Sequence, residues 1–150
     1  MMKFHTLSPL DTKKCAEKFA TEIKAGVHKK NGALIIGFVG DLGSGKTTFI
    51  KKFARALGVR SSVTSPTFLI QKKYKLKHKN FLSLIHVDAY RIGKPGEMNR
   101  IGFGDEIKNK NNIIVIEWAD MIKKILPKKI MWVTFKHGKK ENERYITVKK

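Results

Sequence analysis

The residues of this chain best suited to chemistry lie at positions 40–47, which read GDLGSGKT. This octet fits G-x-x-x-x-G-K-[ST], a pattern in which each fixed residue meets a need of a nucleotide's phosphate tail. Its glycines let the backbone curl until successive N–H groups point at phosphate oxygens. Lys46 supplies a positive charge for the outer phosphates, and the Thr47 hydroxyl is a ligand for Mg²⁺. The octet therefore predicts a site for a nucleoside triphosphate.

A phosphate loop of this kind has to lie between a strand and a helix. Residues 33–39 form an almost wholly apolar run, typical of a strand buried on both faces. After the loop, apolar residues recur at helical spacing over 48–57, and Gly58 is placed to end that helix. The helix would turn its positive N-terminal end toward the phosphates. We therefore expect a strand–loop–helix unit, with an ordinary glycine-rich turn as the alternative.

An acidic residue at the end of a neighbouring strand is needed to hold the magnesium ion, directly or through water. Glu117 follows the apolar run 113–116, so we expect it at the carboxyl end of a buried strand. Ligands of open α/β sheets bind at that end. A solvent-exposed glutamate is the alternative. The next residue, Trp118, either walls the nucleotide pocket or packs at its rim.

Residues 86–91, HVDAYR, form a second polar group after an apolar stretch. Asp88 could orient an attacking water molecule or reach the metal. Arg91 could neutralise charge on a transferring phosphoryl group or pair with a carboxylate. His86 could be a hydrogen-bonded core histidine. The spacing alone leaves these roles open.

A third group surrounds Pro66, which stiffens a turn between hydroxyl side chains. Thr64, Ser65 and Thr67 have the short hydroxyls that a switch segment needs to respond to a terminal phosphate. A plain Ser/Thr turn has the same composition and is the alternative.

Helix-like and strand-like stretches alternate along the 150 residues, which favours an α/β fold and a single domain over 1–150. An amphipathic helix is predicted over 11–23, with Asp11 as its N-cap. The remaining expectations are a turn over 26–32, exposed strands over 68–76 and 82–87, a loop with a short helix over 88–104, a short helix over 121–126 and a closing strand pair over 131–135 and 145–148. The predicted fold is a three-layer P-loop NTPase-like domain with a mainly parallel central sheet and antiparallel strands at its edge.

The net charge of +20 is the other unusual property of the chain. One interpretation is a nucleic-acid-binding surface. The other is compositional drift, because 27 of the 32 basic residues are lysine and phosphate sites often use the bidentate fork of arginine. The single Cys15 excludes an internal disulfide, and no apolar run has the length of a secretion segment or a membrane span. These properties favour the cytoplasm.

Five blocks taken together, at 40–48, 63–68, 86–91, 101–103 and 117–120, resemble the TsaE (YjeE) ATPases. The resemblance extends over about residues 10–145. One departure is the segment 102–106, which is usually richer in acidic residues.

The resemblance implies a bacterial cytoplasmic ATPase that helps to make threonylcarbamoyladenosine, the modified base beside the anticodon of tRNAs that read codons beginning with A. It implies an accessory subunit that binds ATP or ADP together with Mg²⁺. Its hydrolysis of ATP would reset a TsaB–TsaD transferase. Such a subunit reaches tRNA only through that complex and does not involve a membrane.

Site roles are carried over from the family onto the matching positions of this chain. The catalytic residues implied in this way are Lys46, Asp88 and Glu117. The implied Mg²⁺ ligands are Thr47 and Glu117. The implied switch segment contains Thr64, Ser65 and Thr67. The positions implied to bind the nucleotide are Asp41, Leu42, Gly43, Ser44, Gly45, Lys46, Thr47, Thr48 and Trp118. Segment 7–12 and the region of Arg144 are the candidates for contacts to adenine.

Two other functions remain open at this level. A small-molecule kinase on the same scaffold would transfer phosphate to an acceptor other than water. A non-catalytic RNA-binding module would bind tRNA tightly at physiological salt, whereas the general attraction expected from the net charge would vanish by about 0.2 M salt.

Overall fold

A computed structural model describes residues 1–26, 31–66, 68–94 and 96–150 of the chain. The strands of this part are β1 (Met2–Thr6), β2 (Leu34–Val39), β3 (Gln71–Lys75), β4 (Ser83–Asp88), β5 (Asn112–Glu117), β6 (Met131–His137) and β7 (Arg144–Lys149). The helices are α1 (Pro9–Ala25), α2 (Lys46–Leu57), α3 (Gly96–Arg100), α4 (Phe103–Lys108) and a 3-10 helix, Ala119–Ile125. None of the helices in the described ranges combines the length and the hydropathy needed to cross a membrane.

The strands form one sheet in the order β1-β7-β6-β2-β5-β4-β3. The four central strands β6, β2, β5 and β4 are parallel, whereas β3, β7 and β1 pair antiparallel at the two sides. The predicted fold class is therefore confirmed. Because the central strands are parallel, their carboxyl ends meet at one edge of the sheet, here called the site edge, and their amino ends meet at the opposite edge.

Strands β2 and β5 are buried on both faces, which explains their continuous apolar runs. In β2, Ile36 and Phe38 face the core formed with α1 and α2, whereas Ile35 faces the core formed with α3, α4 and the 3-10 helix. Gly37 brings the 3-10 helix close to the sheet, because a Cβ there would lie 2.8 Å from the Cβ of Ala119. The sheet thus forms the middle of three layers.

Aromatic side chains hold α2 against the sheet. The ring of Phe49 lies 5.9 Å from that of Phe38 and meets Phe135 edge-on at 5.5 Å. One turn later, Phe53 stacks on Phe19 of α1 at 5.2 Å. Aromatic pairs of this kind each add about 0.5–1.5 kcal/mol beyond the area they bury. The start of α2 is therefore fixed relative to the end of β2.

The N-cap predicted for the first helix was wrong. Helix α1 is capped by Ser8, whose hydroxyl accepts a hydrogen bond from the backbone N–H of Asp11. Asp11 in turn accepts hydrogen bonds from the backbone N–H of Leu7 and the hydroxyl of Ser8. Pro9 has the φ angle that the first helical turn requires, so the helix begins two residues before the predicted start.

Other expectations about the elements were incomplete. Strand β4 is buried rather than exposed, because it lies between β5 and β3. Strand β1 was not predicted, and the region 88–104 leads into two short helices rather than one. Within the predicted turn 26–32, residues 27–30 lie outside the described residues.

Candidate functional site

The phosphate loop connects β2 to α2, as its sequence predicts. Gly40, Gly43 and Gly45 all have positive φ angles, of 143°, 73° and 97°. A Cβ at position 40 would also lie 2.6 Å from the carbonyl oxygen of Phe135. No side chain caps the start of α2. The free N–H groups of that first turn and the curled loop form a cradle suited to an anion.

Gly40→Ala is expected to lower the free energy of unfolding by about 1–3 kcal/mol, because alanine disfavours this φ and its Cβ would collide with β6. The matched control is Gly104→Ala within α4, where a Cβ meets no atom within 4 Å. The control should be neutral, or stabilising by about 0.5–1 kcal/mol. Denaturant unfolding measures both variants. Equal stability of the two would contradict the close approach of the loop to β6.

Lys46 is almost completely buried at the start of α2. Its Nζ donates hydrogen bonds to the carbonyl oxygens of Gly40, at 2.6 Å, and Asp41, at 2.8 Å. The same nitrogen lies 4.0 Å from the centre of the Trp118 ring. Burial lowers the pKa of Lys46, and the nearby carboxylates, Glu117 above all, oppose that shift. The structure thus holds a cation inside the cradle.

Glu117 joins the phosphate loop to the centre of the sheet. Its Oε2 accepts a hydrogen bond of 2.5 Å from the hydroxyl of Thr47, and its Oε1 shares one of 2.8 Å with Nε2 of His86. Both Glu117 and His86 are buried, with 3% and 0% of their surface exposed. The carboxylate is therefore held in one orientation beside the magnesium-binding position that the sequence predicts.

His86 is one of three residues, with Asp88 and Arg91, whose roles the sequence left open. It lies on β4, one strand away from Glu117 on β5, so its contact depends on which strands are neighbours. Its Nδ1 is one of two buried side-chain atoms without a hydrogen-bond partner in the described part of the chain. A sequence signal did exist, since a histidine within a buried strand two residues before an acidic strand end is unusual in an apolar core.

Asp88 ends β4 directly opposite Glu117 in the sheet register. Its Oδ1 accepts a hydrogen bond of 3.0 Å from the backbone N–H of Tyr90. The Tyr90 ring packs against Trp118 at 5.1 Å, and Trp118 has a left-handed backbone with a φ of 56°. A non-glycine residue with this φ costs energy, which the surrounding packing has to offset.

A cavity of about 370 Å³ opens between these groups. Ten of the predicted site residues line it: Leu42, Gly43, Gly45, Lys46, Thr47, Thr48, Ser65, Asp88, Glu117 and Trp118. Tyr90 and Arg91 complete the wall, and the guanidinium of Arg91 lies 5.1 Å from the Phe68 ring.

The remaining predicted residues lie around this cavity rather than in its wall. Asp41 is exposed and contributes its carbonyl to Lys46. Ser44 is buried and faces a second cavity. Thr64 is exposed, and its hydroxyl accepts a hydrogen bond of 3.1 Å from Lys72. Thr67 lies outside the described residues.

The second cavity, of about 170 Å³, borders the other side of the phosphate loop. Pro9 and Thr12 line it together with Asn142 and Arg144, so both regions considered for adenine meet there. Nε of Arg144 donates to the carbonyl of Ser44 at 3.2 Å. This arginine connects the start of β7 to the phosphate loop.

Glu143 anchors the turn that carries this arginine. Its carboxylate shares a hydrogen bond of 2.8 Å with His5 and accepts further bonds from the backbone N–H groups of Lys139 and Lys140 and the hydroxyl of Tyr145. These bonds, that of His5 first, lower the pKa of Glu143 from 4.5 to about 2.

The stability of the protein is expected to depend on this carboxylate. Because its pKa is lower in the folded state, the stabilisation is complete above pH 4.5 and is lost as the pH falls toward about 2. Glu143→Gln should therefore unfold more easily at neutral pH and show a shallower loss of stability over that window. Glu141→Gln, an exposed neighbour on the same turn, is the control. Thermal unfolding as a function of pH measures both, and identical profiles would contradict the assignment.

The similarity of this chain to known proteins extends over almost its whole length. A family model described as "Threonylcarbamoyl adenosine biosynthesis protein TsaE" matches residues 6–146. A curated relative from Bacillus subtilis (strain 168) is 36% identical over 146 residues, which span 97% of this chain and 84% of the relative. One from Rickettsia typhi is 34% identical over 148 residues, spanning 97% and 94%. Both relatives are named tRNA threonylcarbamoyladenosine biosynthesis protein TsaE.

A solved structure is similar as well. The crystal structure of Bacillus subtilis YdiB matches with a TM-score of 0.71 and 29% identity, covering 98% of this chain and 83% of the other. The similarity in sequence and in structure therefore spans the phosphate loop, the acidic strand end and both cavities.

Proposed function

The chain belongs to the TsaE family, and from this premise we propose that it is a Mg²⁺-dependent ATPase that serves tRNA threonylcarbamoyladenosine biosynthesis. The observation that carries the proposal is the buried contact of Glu117 with Thr47 and His86, close to Lys46. It connects a phosphate cradle to an acidic strand end, the pair of elements on which P-loop hydrolysis depends.

The backbone cradle and the oxygen ligands of this site suit a nucleotide bound together with magnesium. Glycines at 43 and 45 leave open space where side chains would stand, so phosphates can approach the backbone. The Thr47 hydroxyl and the Glu117 carboxylate are oxygen ligands, and Mg²⁺ is usually held by one or two carboxylates together with substrate phosphates. When bound, the ion neutralises charge on the phosphates. We propose Thr47 and Glu117 as its protein ligands.

The roles of the other side chains follow from their positions. Lys46 would exchange its carbonyl partners for phosphate oxygens and would stabilise negative charge there. Asp88, which lines the same cavity, would orient the attacking water. His86 would keep the Glu117 carboxylate aimed at Thr47. Ser65, at the cavity wall, would belong with Thr64 and Thr67 to a segment that responds to the terminal phosphate.

The second cavity is the proposed place of the adenine base. It borders Gly43, Gly45 and Thr48, so a nucleotide held by the loop can extend into it. Thr12, Asn142 and Arg144 offer polar groups around an apolar proline, Pro9. Pockets for bases commonly combine an apolar wall with a few polar groups in this way.

The proposed partner is the TsaB–TsaD transferase, which this chain would reset by hydrolysing ATP in the cytoplasm as a single domain over 1–150. The test is steady-state ATP hydrolysis in the presence of Mg²⁺, by the chain alone and with the TsaB–TsaD pair from the same cell. Slow hydrolysis that rises when the pair is added supports the proposal. No response to the pair, with phosphate appearing on a small acceptor instead of water, would mean a small-molecule kinase.

A further inference from the structure

The amino ends of the parallel strands form an edge of unusual charge, opposite the nucleotide site. Residues 127–130 lead into β6, 31–33 into β2, 108–111 into β5 and 77–82 into β4. Because these strands are adjacent and parallel, the four segments lie side by side. We call this surface the basic edge and define it by six exposed lysines: Lys77, Lys79, Lys108, Lys110, Lys128 and Lys129.

The basic edge carries positive charge without acidic residues of its own. The four segments contain six lysines and no aspartate or glutamate, although the chain has 12 acidic residues. The nearby carboxylate of Glu106 is already bound by Lys73, at 3.0 Å, and by Asn112, at 2.6 Å. Two of the acidic residues, Asp88 and Glu117, end their strands at the opposite edge of the sheet. No carboxylate within the four segments therefore offsets the charge of their six lysines.

Backbone hydrogen bonds connect the parts of the basic edge before β4, β5 and β2. The backbone N–H of Leu82 donates to the carbonyl of Asn111, and that of Ala33 donates to the carbonyl of Ile107, both at 2.8 Å. Adjacent strands lie about 4.8 Å apart, so the segments before β4 and β6 are roughly 14 Å apart. A cavity of about 250 Å³ lies between the segments before β6 and β5, bordered by Lys129 and Lys108. These two lysines thus flank a shallow cleft.

We propose that the basic edge binds the phosphate backbone of folded RNA, with a duplex arm of tRNA as its ligand. Lysine binds phosphate as a point charge, and duplex RNA is recognised mainly through its shape, its phosphates and its hydroxyl groups. Single-stranded RNA would require exposed aromatic rings for stacking, whereas Phe81 is buried and the half-buried ring of His78 stacks on it at 5.7 Å. A membrane-binding face would require several apolar anchors, and Leu82 is the one large apolar side chain exposed among these segments' described residues.

The inference rests on the proposed function only in its choice of tRNA. It differs from the implication of the family resemblance that tRNA is reached solely through partner proteins. Its readout is RNA binding without nucleotide, so a negative result leaves the proposed ATPase standing. Conversely, a hydrolytically inactive protein that still binds tRNA through this edge would leave the inference standing.

The test compares two variants of the full chain that have the same net charge. The edge variant carries Lys108→Gln, Lys110→Gln, Lys128→Gln and Lys129→Gln. The control carries Lys14→Gln, Lys18→Gln, Lys51→Gln and Lys52→Gln, which are exposed positions on α1 and α2. Binding of labelled tRNA is measured between about 0.05 and 0.2 M salt, because each lysine that neutralises a phosphate contributes about 0.7–0.9 to the salt slope.

The edge variant should lose at least tenfold in affinity at about 0.15 M salt, and its salt slope should fall by about three units, whereas the control should lose less than threefold. A third variant with arginine at the same four edge positions should retain binding, which separates loss of charge from misfolding. Equal losses in the edge variant and the control would overturn the proposal. So would edge-dependent binding to phosphatidylserine vesicles that exceeds binding to tRNA, since it would assign the surface to a membrane.

Discussion

Lys46→Ala is expected to reduce ATP hydrolysis by on the order of 10³-fold, because it removes the buried cation of the cradle, and a single stabilising donor in such a site contributes about 10²–10³-fold. The structure places the Nζ of this lysine 2.6 Å from the carbonyl of Gly40, within the curve of the loop. Binding of ATP should weaken as well, because the lysine contacts phosphates before and during reaction. Steady-state kinetics together with equilibrium binding of a nucleotide analogue measure both effects.

The control for this prediction is Lys52→Ala, an exposed lysine of the same helix. It changes the net charge equally and leaves the cradle intact, so hydrolysis should stay within about twofold, as is usual for surface substitutions. Thermal unfolding of both variants checks that the fold survives. Hydrolysis by Lys46→Ala at the wild-type rate would refute the site assignment.

Glu117→Gln is expected to have the second-largest effect, a loss of hydrolysis of about 10²–10³-fold. The amide keeps the size of the side chain but removes the charge that Thr47 and His86 contact at 2.5 and 2.8 Å. Affinity for ATP without magnesium should change little, because the phosphates are bound by the loop. The increase in affinity that magnesium normally produces should be lost. Titrations with ATP in the absence and in the presence of Mg²⁺ measure the metal-free affinity and the increase that the ion produces.

Asp120→Asn is the matched control for Glu117→Gln. Asp120 lies three residues further along the chain and is exposed, and its carboxylate acts on Lys46 only through its charge. The control should keep the magnesium dependence and most of the hydrolysis. If both variants lost magnesium dependence equally, general negative charge near the loop would explain the effect, and Glu117 would have no specific role.

Local pattern was sufficient to predict the strand β2, the phosphate loop and the helix α2. The apolar run before the loop and the helical spacing after it identify the type of each element from residues that are neighbours in sequence. Gly58, which ends α2 with a φ of 103°, was predictable for the same reason. The parallel sheet followed from the alternation of strands and helices.

Contacts between distant residues were not predictable in the same way. Strand β1 is only five residues long, and it forms because β7, more than 130 residues later, pairs with it. Strand β4 was expected to be exposed, since its burial depends on its place between β5 and β3. The N-cap of α1 was missed for a different reason, since Asp11 was predicted, whereas the local hydrogen bond from its backbone N–H to the hydroxyl of Ser8 makes Ser8 the cap.

The sequence by itself determined the chemistry available to this protein: a phosphate loop, an acidic strand end and a large excess of lysine. Those features are local, because residue type and short spacing set backbone freedom, charge and helical periodicity. Only the tertiary structure decided that His86 contacts Glu117, that Arg144 contacts the phosphate loop and that six lysines form one edge. The order of strands in the sheet sets these contacts, and that order follows from long-range packing that no short segment encodes.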